Sequence, residues 1–119
     1  MKEGDFIPEE YDLEIDHAKT RDYSLNLEHR IGGHKARLIE HLLGYTQEDY
    51  LAYEQFIRDN VRHHPISKVE ISSHGTKYRV LIPTGATTRM GEVLLLTAWI
   101  EEVRPKTLRL TTSYIAKGE

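Results

Sequence analysis

The chain has 119 residues, 39% apolar and 29% charged, with no cysteine, and its 16 Lys and Arg against 19 Asp and Glu leave a formal charge of −3. A single domain of this length buries about two-thirds of its unfolded surface, and the missing thiols exclude a disulfide framework and a thiolate zinc site. The longest strictly apolar run, Val93 to Leu96, is far short of the ~20 residues that span a bilayer, and Met1-Lys2-Glu3 opens no secretory signal, so a soluble, cytoplasmic protein is expected.

Charge is spread unevenly. Residues 1–16 hold one base and seven acids, whereas the remaining 103 residues hold 15 bases and 12 acids. Residues 1–14 therefore read as an acidic, flexible leader before a single domain over 15–119. From Asp16 to Asn26 the pattern supports a short helix or turn at most, and Gly32-Gly33 then breaks the backbone before the next element. His34 to Leu43 predicts a helix, with Leu38/Leu42 and Ile39/Leu43 four apart and Gly44 where a left-handed cap belongs. Thr46 with Asp49 is a form of capping box. Tyr50, Tyr53, Ile57 and Val61 follow at helical spacing, which predicts a second helix ending before Pro65.

The period then changes to two. Val69 and Ile71 alternate with Lys68, Glu70 and Ser72, and Tyr78, Val80 and Ile82 alternate with Lys77, Arg79 and Leu81, so two strands are expected around a hairpin turn at Ser73-His74-Gly75. Pro83 to Gly91 reads as a loop by composition. Glu92 to Ile100 is apolar on both faces, as a strand in the middle of a sheet should be, with Trp99 in the core. Thr107 to Ile115 predicts the last strand, with Leu108, Leu110, Thr112 and Tyr114 on one face and Arg109, Thr111 and Ser113 on the other. The sum is an α+β fold with two or three N-terminal helices packed on one face of a four-stranded antiparallel sheet.

Seven histidines raise the question of a metal, but His34 and His41 are seven apart, His63 and His64 are adjacent, and no His pair has ligand spacing. No metal site and no cofactor are expected. The densest polar constellation runs from His29 to Lys35, two imidazoles and two cations around the glycine pair at a helix start. Unpaired backbone N–H groups and the helix dipole there favour an anion such as phosphate, with Arg30, Gly32, Gly33 and His34 as its binding residues. The GxxxxGK[ST] spacing of a nucleotide P-loop is absent. At the other end, Thr111-Thr112-Ser113-Tyr114 offers hydroxyls on the final strand.

Asp22-Tyr23-Ser24-Leu25, His29, Gly32, Lys35-Ala36, Leu43-Gly44-Tyr45, Trp99-Ile100, Arg109-Leu110, Thr112 and Tyr114 together resemble the pattern of a family of small, uncharacterised bacterial and archaeal domains. The match runs over about residues 15–116. More loosely, helices followed by an antiparallel sheet ending in Thr-x-Tyr resemble the barnase–EndoU–colicin–RelE group of toxin-type ribonucleases, which cleave RNA without a metal by attack of the 2′-hydroxyl on the adjacent phosphate. That resemblance implies His29 as acid or base, Lys35 as a phosphate clamp, and Thr112 and Tyr114 as donors, with RNA and a cognate inhibitor protein as partners. Neither DNA nor a membrane is expected as a partner. The competing reading is a non-catalytic interaction domain of a two-gene module, using its sheet edge or the 83–91 segment.

Overall fold

The computed structural model describes residues 1–30 and 32–116; Ile31 and the last three residues of the expected domain lie outside the described residues. In chain order the elements are β1 (Asp12–Glu14), α1 (His17–Lys19) with a wider turn over Thr20–Ser24, α2 (Gly33–Leu43), α3 (Tyr50–Asn60), β2 (Ile66–Ser72), β3 (Gly75–Thr88), β4 (Gly91–Glu101) and β5 (Thr107–Ile115). The strands form one sheet in the order β1-β5-β4-β3-β2. Strands β2 to β5 make the expected antiparallel meander, and β4, apolar on both faces, sits at its centre.

The sheet is nevertheless five-stranded and mixed, because β1 adds to β5 in parallel. Asp12-Leu13-Glu14 has little strand propensity, so its place comes from its neighbours. Arg58 donates to the Leu13 carbonyl, and Arg62 donates to the carbonyls of Pro8 and Tyr11. Glu10 pairs with Lys106 and Glu14 with Arg104, so two of the leader's acids face the turn before β5. Those partners raise the pKa of both Lys106 and Arg104 through hydrogen bonds and charge. Further upstream, Ile7 is buried in the core, and Gly4 and Asp5 bond to the backbone of Ile66.

Residues 83–91 form a hairpin instead of the expected loop: β3 continues to Thr88 and β4 begins at Gly91. Proline is tolerated at position 83 because β2 pairs with β3 only as far as Val80, so beyond it β3 has a free edge where a missing N–H breaks no ladder. An irregularity in register between Pro83 and Thr87 absorbs Gly85 and Ala86.

Helix α2 ends at Gly44, whose φ of 82° is the left-handed cap that its glycine allows. Thr46 and Asp49 form the capping box ahead of α3. Ile39 of α2 and Tyr53 and Ile57 of α3 are fully buried against Val80, Ile82, Leu95, Trp99 and Leu108 of the sheet. Each such side chain contributes about 1.5–3 kcal/mol relative to exposure. Inside the core, the Trp99 indole donates to Thr97 Oγ1 (2.9 Å), which donates to the Val80 carbonyl (2.9 Å), so the one tryptophan is buried with its polar atom satisfied.

The expected facing of β5 fails halfway along. Trp99 pairs with Leu110 but Ala98 pairs with Thr112, so Thr111 is an extra residue in the ladder. One inserted residue reverses the alternation beyond it. Leu108 and Leu110 therefore point into the core with Ser113 and Ile115, while Thr112 and Tyr114 turn to the opposite, outer face.

Candidate functional site

The outer face is built by register. Tyr114 of β5, Leu96 of β4 and Leu81 of β3 lie side by side, and two residues along, Thr112, Ala98, Arg79 and Lys68 continue the row across four strands. Because β1 pairs only with Thr107–Arg109, the second half of β5 has β4 on one side and, among the described residues, no strand on the other, and α2 lies against it. There the Lys35 ammonium sits 4.3 Å from the centre of the Tyr114 ring, within cation–π range.

Between the start of α2 and the sheet is a cavity of about 650 Å³, lined by His34, Lys35, Leu38, Ser67, Lys68, Arg79, Leu81, Leu96, Tyr114, Ile115 and Ala116. Among the described residues, three cations and one imidazole stand over an apolar and aromatic floor, and no carboxylate lines it. A second cavity of about 260 Å³ shares Lys68 and Arg79 with the first and adds Lys77, Thr111 and Thr112, with Glu70 as its one acid. The two are contiguous and make a trough across the outer face. Among the described residues, none of Lys35, Lys68, Lys77 and Arg79 is in an ion pair. Uncompensated cations around a concave surface raise the local concentration of anions, and the low-dielectric walls strengthen the effect.

Beneath the trough, β5 is pinned from the core side. The Tyr53 hydroxyl and Ser113 Oγ share a buried 2.7 Å hydrogen bond, one residue from Thr112 and one from Tyr114. Burial pushes the Tyr53 phenol well above its ordinary range, so it stays a neutral hydroxyl.

The structure thus brings Lys35, His34 and Tyr114 to one cavity and places Thr112 in the adjoining one. His29 and Arg30 line neither cavity. The His29 ring packs edge-on against Tyr23, with centroids 4.4 Å apart. Its Nδ1 accepts from the Gly32 N–H (3.1 Å), and its carbonyl accepts from the Gly33 N–H (2.9 Å). Both glycine amides at the helix start are therefore engaged by His29. A Cβ at position 33 would lie 2.5 Å from the Leu27 carbonyl oxygen, so glycine is required there by close backbone approach. Lys68 and Arg79 were not singled out from the sequence, where they read as the polar half of alternating strands. Their signal is Lys68, Lys77 and Arg79 on one face of two antiparallel neighbours.

The acidic N-terminal stretch stays clear of the trough, since none of residues 1–16 lines either cavity. Among the described residues, no three His, Asp or Glu side chains converge as a metal-ligand group, and no helix is long and apolar enough to cross a membrane.

No curated protein and no solved structure matches the chain. A family model described as Domain of unknown function (DUF6883) matches residues 7–117, a span that takes in the sheet, the helices and every residue of the trough, and the chain belongs to that family.

Proposed function

We propose that the domain binds single-stranded RNA along the outer-face trough and cleaves it there without a metal. The observation that carries this reading is the cavity lined by Lys35, Lys68, Arg79 and His34, with no carboxylate among the described residues that line it. A phosphodiester supplies the anion, and the Tyr114 ring with Leu81 and Leu96 supplies the apolar surface that an unstacked base needs. Lys35, Lys68 and Arg79 hold the phosphate and stabilise the charge of the phosphorane. His34, the imidazole lining the cavity, takes the proton of the 2′-hydroxyl on its ring nitrogen. The 2′-oxygen then bonds to phosphorus as the bond to the 5′-oxygen breaks. The Tyr114 hydroxyl and the Lys35 ammonium are the donors for that departing oxygen, and the products are a 2′,3′-cyclic phosphate and a free 5′-hydroxyl. In this reading His29 orders the entry to α2, and His34 does the work that the resemblance to toxin-type ribonucleases implies for His29.

The test is incubation with a single-stranded RNA in excess EDTA, comparing the wild type with folded His34→Ala, Arg79→Ala and His29→Ala variants. Loss of a general base lowers the rate by about 10²–10⁴, and loss of a phosphate donor by about 10²–10³. Cyclic-phosphate ends that vanish in His34→Ala and persist in His29→Ala support the reading; no cleavage by the wild type refutes the catalytic part. A second reading, a non-catalytic interaction domain, is favoured by the β2 edge, where Ile71 is 84% exposed on a strand that, among the described residues, has no further strand beyond it. RNA binding that responds to the trough cations separates the two.

A further inference from the structure

The smaller cavity of the trough, about 260 Å³, is set apart from the larger one by a single group, the Glu70 carboxylate. Glu70 lies two residues along β2 from Lys68, about 6–7 Å further on the same outer face, and its cross-strand partner is Lys77. A carboxylate with two lysines for neighbours could close an ion pair with either. Among the described residues, none of Glu70, Lys68 and Lys77 is in one. The hollow beside Glu70 is made by Ala98, the smallest of the side chains that β4 turns to this face in a row with Leu94, Leu96 and Ile100.

That carboxylate divides the work of the trough. It repels a phosphate, so the anion belongs in the larger cavity and a neutral group rich in N–H donors belongs in the smaller. An ionised carboxylate accepts only, and its two oxygens match a pair of parallel N–H donors best. Of the four RNA bases, guanine alone presents two neighbouring N–H donors on one edge, from N1 and N2; adenine, cytosine and uracil each present one. We infer that the smaller cavity is a base-reading subsite in which Glu70 accepts from N1–H and N2–H of a guanine, so that the trough prefers single strands containing that base. The inference rests on the proposed use of the trough as an RNA track and deepens it by naming the base. Lys68 and Arg79, shared by the two cavities, then hold the phosphate between the base on Tyr114 and the guanine at Glu70.

The experiment is fluorescence anisotropy of the whole chain with labelled RNA octamers at about 50 mM salt, where phosphate contacts are strong. Each octamer alternates adenosine with guanosine, inosine, cytidine or uridine, and all are 2′-O-methylated so that cleavage cannot intervene. The guanosine octamer should bind the wild type about tenfold tighter than the cytidine and uridine octamers, with inosine, which keeps N1–H and lacks the N2 amine, in between. Glu70 is exposed on its strand, so Glu70→Gln keeps the fold; it should bring the four octamers to within about twofold of one another, and bind the cytidine octamer at least as tightly as the wild type because a repelling charge is gone. A wild type that binds all four alike, inosine equal to guanosine, or a guanosine preference that survives Glu70→Gln overturns the inference and leaves the RNA track standing. Failure of every octamer to bind the wild type refutes the RNA track itself, and the base-reading subsite with it.

Discussion

Neutralising the trough one cation at a time gives a quantitative handle on what it binds. Among the described residues, Lys35, Lys68, Lys77 and Arg79 are the four cations lining the two cavities. If each neutralises one phosphate of a single strand, log K falls with log salt at a slope of about −0.7 per contact, or about −2.8 in total. Raising salt from about 50 to about 200 mM then weakens binding roughly 50-fold, and Arg79→Ala, left with three contacts, weakens only about 20-fold over the same range. Fluorescence anisotropy of a labelled single-stranded RNA across that salt range measures both slopes. Lys106→Ala is the control, because Lys106 lies at the β1 edge and is already paired with Glu10. A wild-type slope shallower than about −1, or a slope that changes with Lys106 and not with Arg79, refutes the assignment of the trough as the phosphate track.

Three further outcomes test the scaffold under that trough. Tyr53→Phe and Ser113→Ala each leave a buried hydroxyl unpartnered and should destabilise by about 1–3 kcal/mol, whereas the double variant should cost clearly less than their sum; additive denaturant melts would show that the pair is not coupled. Gly33→Ala should destabilise by about 1–3 kcal/mol despite alanine's better helix propensity, because its Cβ meets the Leu27 carbonyl; a neutral or stabilised variant in urea would contradict this. The backbone N–H and hydroxyl of Thr46 hold the Asp49 carboxyl below its ordinary range, so its capping contribution is present above the unfolded-state pKa and lost as pH falls through the folded one. The gap in Tm between wild type and Asp49→Ala should accordingly be constant at neutral pH and close as pH falls below the ordinary carboxylate range, and a gap that stays constant on acidification would reject the cap.

What was readable in the chain follows the strength of its periodicities. Helices α2 and α3 announce themselves through i,i+4 apolar pairs, a capping box and a cap glycine, and β4 through apolar residues on both faces. Strand β1 was invisible because three residues inside an acidic stretch carry no pattern; arginines from α3 and the turn that follows it put it in place. The second half of β3 was hidden by Pro83 and Gly85, whose loop-like composition is harmless where β2 has already ended. For the site, Lys35 and Tyr114 were legible as chemistry without their meeting being legible. Their meeting depends on the extra residue at Thr111, and an insertion of one residue leaves no trace in an alternation that both Thr and Tyr satisfy on either face. Lys68 and Arg79 came from strands whose polar half looked like ordinary solvent-facing surface, and only the strand order sets them beside Tyr114.

The arginines that hold the N-terminal stretch grip its carbonyls: Arg58 takes that of Leu13, and Arg62 takes those of Pro8 and Tyr11. A carbonyl is the same on every residue, so this anchoring reads the route of the segment and is blind to its spelling. Route and charge are then separate properties. Exposed acids such as Glu3 and Glu9 can be exchanged for neutral residues with these carbonyl contacts kept, while loss of Arg62 frees the carbonyls of Pro8 and Tyr11 with every acid intact. The edge of the sheet that the stretch closes therefore depends on the path of the chain past the two arginines more than on the acids exposed along it.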